Sequence, residues 1–305
     1  MNAFMQPAVA RAARRIANDA QALDAARAFA AAIAPDAAAR DRERRLPHAE
    51  LDAYSATGLW GIAVPREFGG AAVSAATLAE VTAIVSEADP AIGQIPQNHF
   101  FMLEVLRVNG TRRRTRLDDV YVDASAVVPY SDAFDAKPTP VGPLGQLLHA
   151  GVDLGIARAA FADACRFVRE RARPWVDSGV ARASDDPLAL EIFGKLAVEL
   201  DAAGALTERA GLRVDAAIDD ANERTVAAAS IAVAKARAAT TEIALAASSR
   251  LLELAGTQGA LAEHALDRHW RNARTHTLHD PVRWKYIAIG DYAVNDTLPP
   301  RHGAL

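Results

Sequence analysis

The chain has 305 residues but a single cysteine, and aromatic side chains make up only 6% of it. One cysteine cannot form an internal disulfide, and because Cys165 lies in a helical pattern of apolar residues, we expect a buried structural thiol. The sequence has no run of the roughly 18 apolar residues that a membrane-spanning helix needs, so we expect no membrane span. The net charge of −4 argues against a general nucleic-acid binder, which would carry a basic excess.

The N-terminal region has the basic residues of a targeting peptide but lacks its apolar segment. Arg11, Arg14 and Arg15 are followed by Asp19 and Asp24, which interrupt any apolar run. A secretory signal peptide needs an apolar segment directly after its positive charges. We therefore expect no secretory signal and a cytoplasmic location.

An alanine-rich composition and the helical spacing of apolar residues predict a mostly α fold. The predicted helices span residues 8–34, 47–57, 77–87, 100–108, 147–173, 188–218, 224–254 and 281–295. The last four, three long and one shorter, predict an antiparallel four-helix bundle. Only Leu117–Val128 alternates as a strand does, and a single strand without a partner is not stable.

The most unusual stretch is Leu266–Tyr286, which brings together large aromatic side chains, imidazoles and guanidiniums. It contains Trp270 and Trp284, four arginines and three histidines. Arginine pairs with phosphate and stacks on flat rings, while tryptophan offers a rigid flat surface. The stretch therefore predicts a site for a flat, anionic molecule.

Three motifs carry a resemblance to a known family: GLWGIAVPREFGG at 58–70, LDDVYVDASAVV at 117–128 and LELAGTQGALAEHALDRHWRNARTHTLHDP at 252–281. In these motifs the chain resembles the acyl-CoA dehydrogenase-fold flavoproteins. Within that fold it is similar to the flavin-dependent monooxygenase branch of sulfur-acquisition oxidoreductases and dibenzothiophene-desulfurisation monooxygenases. The third motif is long and specific, whereas the first is shared by the whole superfamily.

The resemblance implies three domains, of which the middle one, a β-barrel, is almost absent from this chain. The implied organisation is an N-terminal helical domain at 1–110, a remnant of the middle β-domain with a linker at 111–143, and a C-terminal four-helix bundle domain at 144–305. The predicted strand would be the last strand of the barrel. In the family, the barrel contacts the flavin ring and forms one wall of the substrate site.

In the dehydrogenases of this family a carboxylate removes a substrate proton, and the resemblance places Asp280 at that position. The dehydrogenases usually have Glu there, and a shortfall of about 1 Å in reach can cost on the order of a hundredfold in rate. Asp280 followed by Pro281 is also a strong helix start, with Asp as N-cap and Pro in the first turn. We favour this capping role over proton abstraction, although the two are compatible.

The THTLHD sequence resembles the monooxygenase branch instead, in which reduced flavin reacts with oxygen and needs a titratable group near pH 7. Histidine suits that role, so we predict His276 and His279 as catalytic, with His279 the stronger candidate. The alternative is that both cap or pack at a helix–loop junction. His276-x-x-His279 with Asp280 is weak as a metal motif, because no other ligands occur at a suitable spacing, and we predict no metal site.

The resemblance also implies residues for the cofactor and the substrate. Arg271 and Arg274 resemble positions that meet flavin phosphate or adenine across a subunit boundary. Gly256 and Gly259 lie where the family lets the backbone approach the cofactor, although Gly256 is nearly as well explained as a helix C-cap. His99 lies where the branch places substrate-pocket residues, and a capping or core role is equally open.

Three functions follow from the resemblance. The first is a reduced-flavin-dependent monooxygenase of a small organosulfur compound, supplied with FMN or FAD by a flavin reductase. The second is an acyl-CoA dehydrogenase acting on a CH–CH group. The third is an inactive, barrel-less remnant or oligomerisation partner, because the middle domain is missing. The family also implies a homotetramer assembled through the bundle.

Overall fold

Helices make up most of the chain that the computed structural model describes, which is residues 14–108 and 137–305. In these ranges the α-helices are α1 Asp19–Ile33, α2 Ala37–Glu43, α3 His48–Thr57, α4 Ala75–Ala88, α5 Pro90–Val108, α6 Val141–Glu170, α7 Pro187–Asp219, α8 Glu223–Gly259, α9 Asp267–Thr277 and α10 Val282–Asn295. No strand occurs among the described residues, so the predicted mostly α fold is confirmed. The predicted strand at 117–128 lies outside them.

Side-chain caps set the start of several helices. The Asn18 side chain accepts a hydrogen bond from the backbone N–H of Gln21, so α1 begins at Asp19. The predicted start at residue 8 lies outside the described residues. Asn222 and Thr225 form a capping box at the start of α8. Such caps satisfy backbone N–H groups that the helix itself leaves without partners.

The start predicted for the helix at 100–108 is wrong, because α5 begins at Pro90. Asp89 caps it by accepting a hydrogen bond from the backbone N–H of Ala91 at 3.1 Å. Proline has no N–H to leave unsatisfied in the first turn, so it is well tolerated there. The added length places Gln97 inside the helix and next to the bundle.

The helices of the predicted bundle pack against one another as expected. α8 contacts α6, α7 and α10, and α6 contacts α7. α8 continues to Gly259 but breaks at Gly256, which has φ +64° and ψ −162°. Cys165 on α6 is only half-buried, so the expectation of a buried thiol is wrong. None of the helices in the described ranges combines the length and the apolar character that a membrane crossing requires.

α6 is the helix on which the rest of the fold converges, since it packs against α4, α5, α7, α8 and α9. Glycines permit the closest of these contacts. A Cβ added at Gly151 would lie 2.7 Å from the carbonyl oxygen of Ala79, and one at Gly155 would lie 2.4 Å from that of Ala83. No side chain fits at these distances. Helix α4 of the N-terminal part therefore packs directly against the bundle.

This close packing predicts opposite effects of the same substitution at two glycines. Gly155→Ala should lower the free energy of unfolding by about 1–3 kcal/mol, because the new methyl group overpacks the α4–α6 contact. Gly204→Ala on α7 should raise it by about 0.5–1 kcal/mol, because the position is open and alanine favours the helix. Urea denaturation measures both. Equal effects of the two substitutions would contradict the proposed packing.

Candidate active site

One face of α6 carries three buried polar side chains, Gln146, His149 and Asp153, each at most 4% exposed. Spacings of three and four residues place them on the same side of the helix. Burying polar groups is costly unless they are hydrogen-bonded. Each of the three is paired with side chains from other helices, and these pairings build the site.

The innermost group is the carboxylate of Asp153, which is fully buried. It forms an ion pair with Arg237 of α8, accepts a hydrogen bond from Thr241 Oγ1 at 3.2 Å, and lies 2.5 Å from His276 Nδ1 of α9. Burial alone would raise the pKa of Asp153, but Arg237 and His276 more than offset this and hold it below the ordinary value. Asp153 is therefore an anion that orients His276.

His149 continues the network from His276. Its Nδ1 lies 3.0 Å from His276 Nε2, and its Nε2 lies 2.7 Å from the side-chain nitrogen of Gln97 on α5. Burial, with the nearby charge of Arg237, lowers the pKa of His149 to about 2. His149 is therefore neutral at physiological pH. The hydrogen bonds form a buried row that runs, in order, through Gln97, His149, His276 and Asp153.

His279 is the exposed member of the site. Its side chain is 53% exposed, and its Nδ1 lies 3.2 Å from Asp280 Oδ2. Its ring centroid lies 4.3 Å from that of His149, with the two rings tilted by 36°. An imidazole held through Nδ1 presents Nε2 on the opposite edge of its ring. The arrangement can exchange a proton with a molecule bound outside.

Asp280 faces inward and is 6% exposed. It accepts a hydrogen bond from Gln146 Nε2 at 2.8 Å. Burial would raise the pKa of Asp280, but its contacts with Gln146 and His279 outweigh burial and keep the pKa below the ordinary value. The predicted capping role is wrong, because Pro281 is the N-cap of α10 and no side-chain cap bond forms there. The hydrogen bond from the Gln146 amide holds the Asp280 carboxylate away from the first turn of α10.

Lys285 of α10 holds the Gln146 side chain by a hydrogen bond and is 1% exposed. Its Nζ donates to Gln146 Oε1 at 3.0 Å and to the carbonyl of Ala304 at 2.9 Å. Gln146 Nε2 also donates to the carbonyl of Gly303 at 2.7 Å. Residues near the end of the chain are thus bonded to the side chains that hold Asp280.

The burial of Lys285 predicts a pH dependence of stability. Burial and repulsion by Arg237 lower its pKa from 10.5 to about 8. Between these pH values the unfolded chain keeps a proton that the folded chain has released, so the free energy of unfolding should rise with pH, by about 3 kcal/mol in total. Urea denaturation of wild type and Lys285→Met across this range isolates the effect as a difference. Parallel curves would contradict it.

α9 is anchored to α6 at a second point, which shows how His276 is held. His269 Nε2 lies 2.7 Å from Asp163 Oδ2, and Arg268 contacts the same carboxylate at 3.0 Å. Burial is the main reason that the pKa of His269 is lowered, against the opposing effect of Asp163. Both buried histidines of α9 thus bind aspartates of α6, whereas His279, two residues after the helix, is exposed.

The predicted cofactor arginines lie on the exposed side of α9. Arg271 forms a two-bond contact with Asp41 at 3.0 and 2.6 Å and a further bond with Asp267 at 2.9 Å. Arg274 is exposed and makes no ion pair with any residue in the described ranges. Arg274 is therefore the one of the two that is available to an anion without breaking a pair.

The predicted glycines lie far from His279. Gly256 borders a cavity of about 480 Å³ that is also lined by Val168 and Trp175, whereas Asp280 contacts α6 at Gln146. Twenty-two residues of α6 separate the two places, which corresponds to roughly 30 Å along the helix. Gly259 is buried, and a Cβ added there would lie 2.5 Å from the Cβ of Ala255. Within one chain, these two glycines therefore do not lie next to the histidines of the site.

His99 lies in an aromatic cluster of the N-terminal helices. Its Nε2 lies 2.8 Å from the carbonyl oxygen of Trp60, and its ring makes edge contacts with Trp60 and Phe100. Gln97 is two residues away, or about 200° around the helix, and is the one that reaches the bundle. The structure thus places His99 away from His149. Among the described residues no cluster of His, Cys, Asp and Glu could hold a metal ion.

Sequence reasoning missed six side chains of this site: Gln146, His149, Asp153, Arg237, Lys285 and Gln97. One signal was available for the first three. Polar residues recur at i, i+3 and i+7 within a stretch of α6 that is otherwise apolar or small. A helix that is buried all around and still carries such a stripe needs partners for it.

Two family descriptions match the chain. "Acyl-CoA dehydrogenase, N-terminal domain" matches residues 17–115, and "Acyl-CoA dehydrogenase, C-terminal domain" matches residues 147–284. Only residues 116–146 lie between the two matches, which leaves no room for a middle domain.

Curated relatives match part of the chain. It is 37% identical over 161 residues to the dibenzothiophene monooxygenase of Mycolicibacterium goodii, covering 52% of this chain and 39% of that protein. It is also 37% identical over 161 residues to the probable FMNH2-dependent monooxygenase SfnC of Pseudomonas putida, covering 51% and 40%. The matched region spans about two fifths of the length of these relatives.

Solved structures share the fold over nearly the whole chain. The complex of TdsC from Paenibacillus sp. A11-2 with FMN and indole has a TM-score of 0.84 at 24% identity, covering 93% of this chain and 100% of that one. The methanesulfinate monooxygenase MsuC from Pseudomonas fluorescens has a TM-score of 0.80 at 25% identity, covering 93% and 99%.

Proposed function

The chain belongs to the acyl-CoA dehydrogenase family in both its N-terminal and its C-terminal helical parts, and on that premise we propose a reduced-flavin-dependent monooxygenase of a small organosulfur compound. The names of the relatives support this reaction class, since they include dibenzothiophene and FMNH2-dependent monooxygenases. The observation that carries the proposal is the exposed imidazole of His279, held by Asp280 at the mouth of a buried hydrogen-bonded row.

His279 is the proposed catalytic residue. An exposed imidazole can give or take a proton, as oxygenation at a bound cofactor requires. Asp280 fixes the ring through Nδ1, which directs Nε2 to the bound molecules. His276 is buried and bonded at both nitrogens, to Asp153 and to His149. It is therefore proposed as a positioning residue.

The acyl-CoA dehydrogenase alternative requires Asp280 to remove a proton from the substrate. Its carboxylate is buried, and Gln146 and His279 already contact the same oxygen. Those contacts keep its pKa below the ordinary value, which weakens it as a base. The geometry therefore favours the monooxygenase over the dehydrogenase.

The exposed face of α9 and α10 is suited to a flat, anionic cofactor. Trp270 and Trp284 are 41% and 63% exposed, so their rings can be covered by another flat group. Arg274 would pair with a phosphate. We propose FMN, in line with the FMNH2-dependent relative. Bound reduced flavin supplies the electrons that activate oxygen, and a flavin reductase would deliver it.

Gly256 and Gly259 remain proposed cofactor residues, but for a second subunit. A distance of roughly 30 Å along α6 keeps them from the flavin that His279 would serve in the same chain. In the proposed homotetramer, they and Arg271 would face the cofactor of a neighbour. His99 is proposed for the substrate side only if the Trp60 contact opens. The cytoplasmic location stays a prediction.

A second candidate is a helical oligomerisation partner without catalysis. It is favoured by the short interval at 116–146 between the two family matches. We propose domains at 1–110 and 144–305 with a residual segment at 111–143. Large apolar side chains of α10 are exposed, including Ile287 at 63% and Val294 at 81%, and a partner would cover them.

Anaerobic titration of the purified protein with reduced FMN and reduced FAD decides between the candidates. The monooxygenase predicts saturable binding of FMN, followed by oxygenation of dibenzothiophene or methanesulfinate when oxygen is admitted. Binding without oxygenation of either compound would contradict the substrate class. A lack of binding at high flavin excess would contradict both enzyme functions and favour the oligomerisation partner.

A further inference from the structure

Among the described residues, His149 links the buried row to the exposed His279. It is bonded to Gln97 and His276 in the buried row, and its ring packs against His279 at the surface. It lies on α6, well before the motif that contains the other two histidines. The contacts of His149 thus determine whether the ring that packs against His279 is charged or uncharged.

One proton arrangement with a neutral His276 satisfies every hydrogen bond of the row. Asp153 accepts, so His276 carries its proton on Nδ1 and offers the lone pair of Nε2. His149 must then donate from Nδ1. Its Nε2 is left as an acceptor, which suits the amide nitrogen of Gln97 at 2.7 Å. Donors and acceptors alternate along the row without a conflict.

The charges around His149 favour the same state. The groups that face it are Gln97 on α5, Arg237 on α8, His276 on α9, His279 in the following turn and Lys285 on α10. None of these is an anion, and Asp153 reaches His149 only through His276. A proton added to His149 would meet the cation of Arg237, that of Lys285 below about pH 8, and the amide donor of Gln97.

We propose that His149 is a positioning residue for His279, acting through a single tautomer that carries its proton on Nδ1. An uncharged ring at 4.3 Å supports the His279 imidazole in both of its protonation states, whereas a charged one would repel the protonated state. This role rests on the proposed function of His279, but the tautomer of His149 is independent of any bound flavin.

The experiment is nitrogen-detected NMR of the flavin-free protein, labelled at histidine, across about pH 5 to 9. Protonated and unprotonated ring nitrogens have distinct shifts, so the tautomer is read directly. We expect His149 to keep a protonated Nδ1 and a bare Nε2 throughout. A proton on Nε2 of His149, or titration of His149 in this range, overturns the proposal.

Gln97→Glu tests the mechanism with a nearly isosteric change. The new carboxylate accepts a proton at His149 Nε2 and charges the ring, so the ring-nitrogen shifts of both His149 and His279 should change. Gln94→Glu is the matched control, because Gln94 is exposed one turn earlier on α5, and it should leave these shifts unchanged.

The outcomes separate this inference from the proposed function. Unchanged ring-nitrogen shifts of His279 in Gln97→Glu would show that His149 only fills space and would overturn the proposal. If Gln97→Glu does not fold, the wild-type tautomer decides. A protein with the expected tautomer and shift that fails to oxygenate organosulfur compounds contradicts the proposed function and leaves the positioning role intact.

Discussion

His279→Asn is expected to lower kcat for oxygenation by about 10²–10⁴-fold, the usual contribution of a positioned acid or base. His279 is the exposed imidazole of the site, and Asp280 fixes its orientation. Asparagine keeps polarity and size but cannot exchange a proton. The constant for binding reduced FMN should change by less than about threefold, because the loss falls on the chemical step. Steady-state turnover and anaerobic titration provide the two measurements.

His48→Asn is the matched control for that substitution. His48 is exposed at the start of α3, far from the site in the chain, and its replacement should leave kcat unchanged. A His279→Asn enzyme with wild-type turnover would remove His279 from the chemistry. Loss of flavin binding in the same variant would instead assign it to cofactor binding.

The helices could be predicted from the sequence where apolar spacing and end signals agree. α7 begins at Pro187 after Asp186, whose side chain accepts a hydrogen bond from the N–H of Leu188, and this start was predicted to within one residue. Gly256 interrupts α8 as its sequence position indicates. α5 was predicted too short, because Pro96 inside it is a breaker in most contexts and only its packing against α4 and α6 sustains it.

The site could be predicted only where its residues share one motif. His276, His279 and Asp280 follow one another closely, so a pattern shows them. Their partners do not, since Gln146 lies 134 residues from Asp280 and His149 lies 127 from His276. Distances of that order in sequence are set by helix packing, which no local rule contains.

The role of Asp280 shows how packing overrides a local rule. Asp before Pro is a good N-cap, but the buried amide of Gln146 offers a stronger partner than an exposed backbone N–H. Lys285 holds that amide from the other side. The same contacts make Asp280 a group that orients His279 instead of a base. The wrong prediction of an N-cap therefore also concealed the role of Asp280 in the candidate site.

The residues of the candidate site come from both helical parts of the chain. Gln97 comes from the N-terminal part, and the remaining members come from the bundle. The close contact of α4 with α6 at Gly155 brings these parts together. The hydrogen-bonded row of the candidate site is therefore formed by residues of the two helical parts alone.

Asp153→Asn is expected to lower the free energy of unfolding by about 3–5 kcal/mol, because it leaves the guanidinium of Arg237 buried without a counter-charge. Arg237 and Asp153 are 1% and 0% exposed, so water cannot compensate. Asp185→Asn is the control, since its ion pair with Arg182 is exposed and its loss should not be measurable. Urea denaturation near pH 7 gives both values.

A double variant separates the charge from the packing. Asp153→Leu combined with Arg237→Met removes both charges and should recover part of the lost stability, because an apolar pair avoids the cost of burying ions but leaves the buried donors of His276 and Thr241 without their acceptor. The pH dependence has a fixed sign. The pKa of Asp153 is held below its ordinary 3.8, so wild type loses this contribution only as the pH falls below that value. A cost of Asp153→Asn below about 1 kcal/mol would mean that Arg237 is solvated. The buried anchor of the histidine row would then be absent.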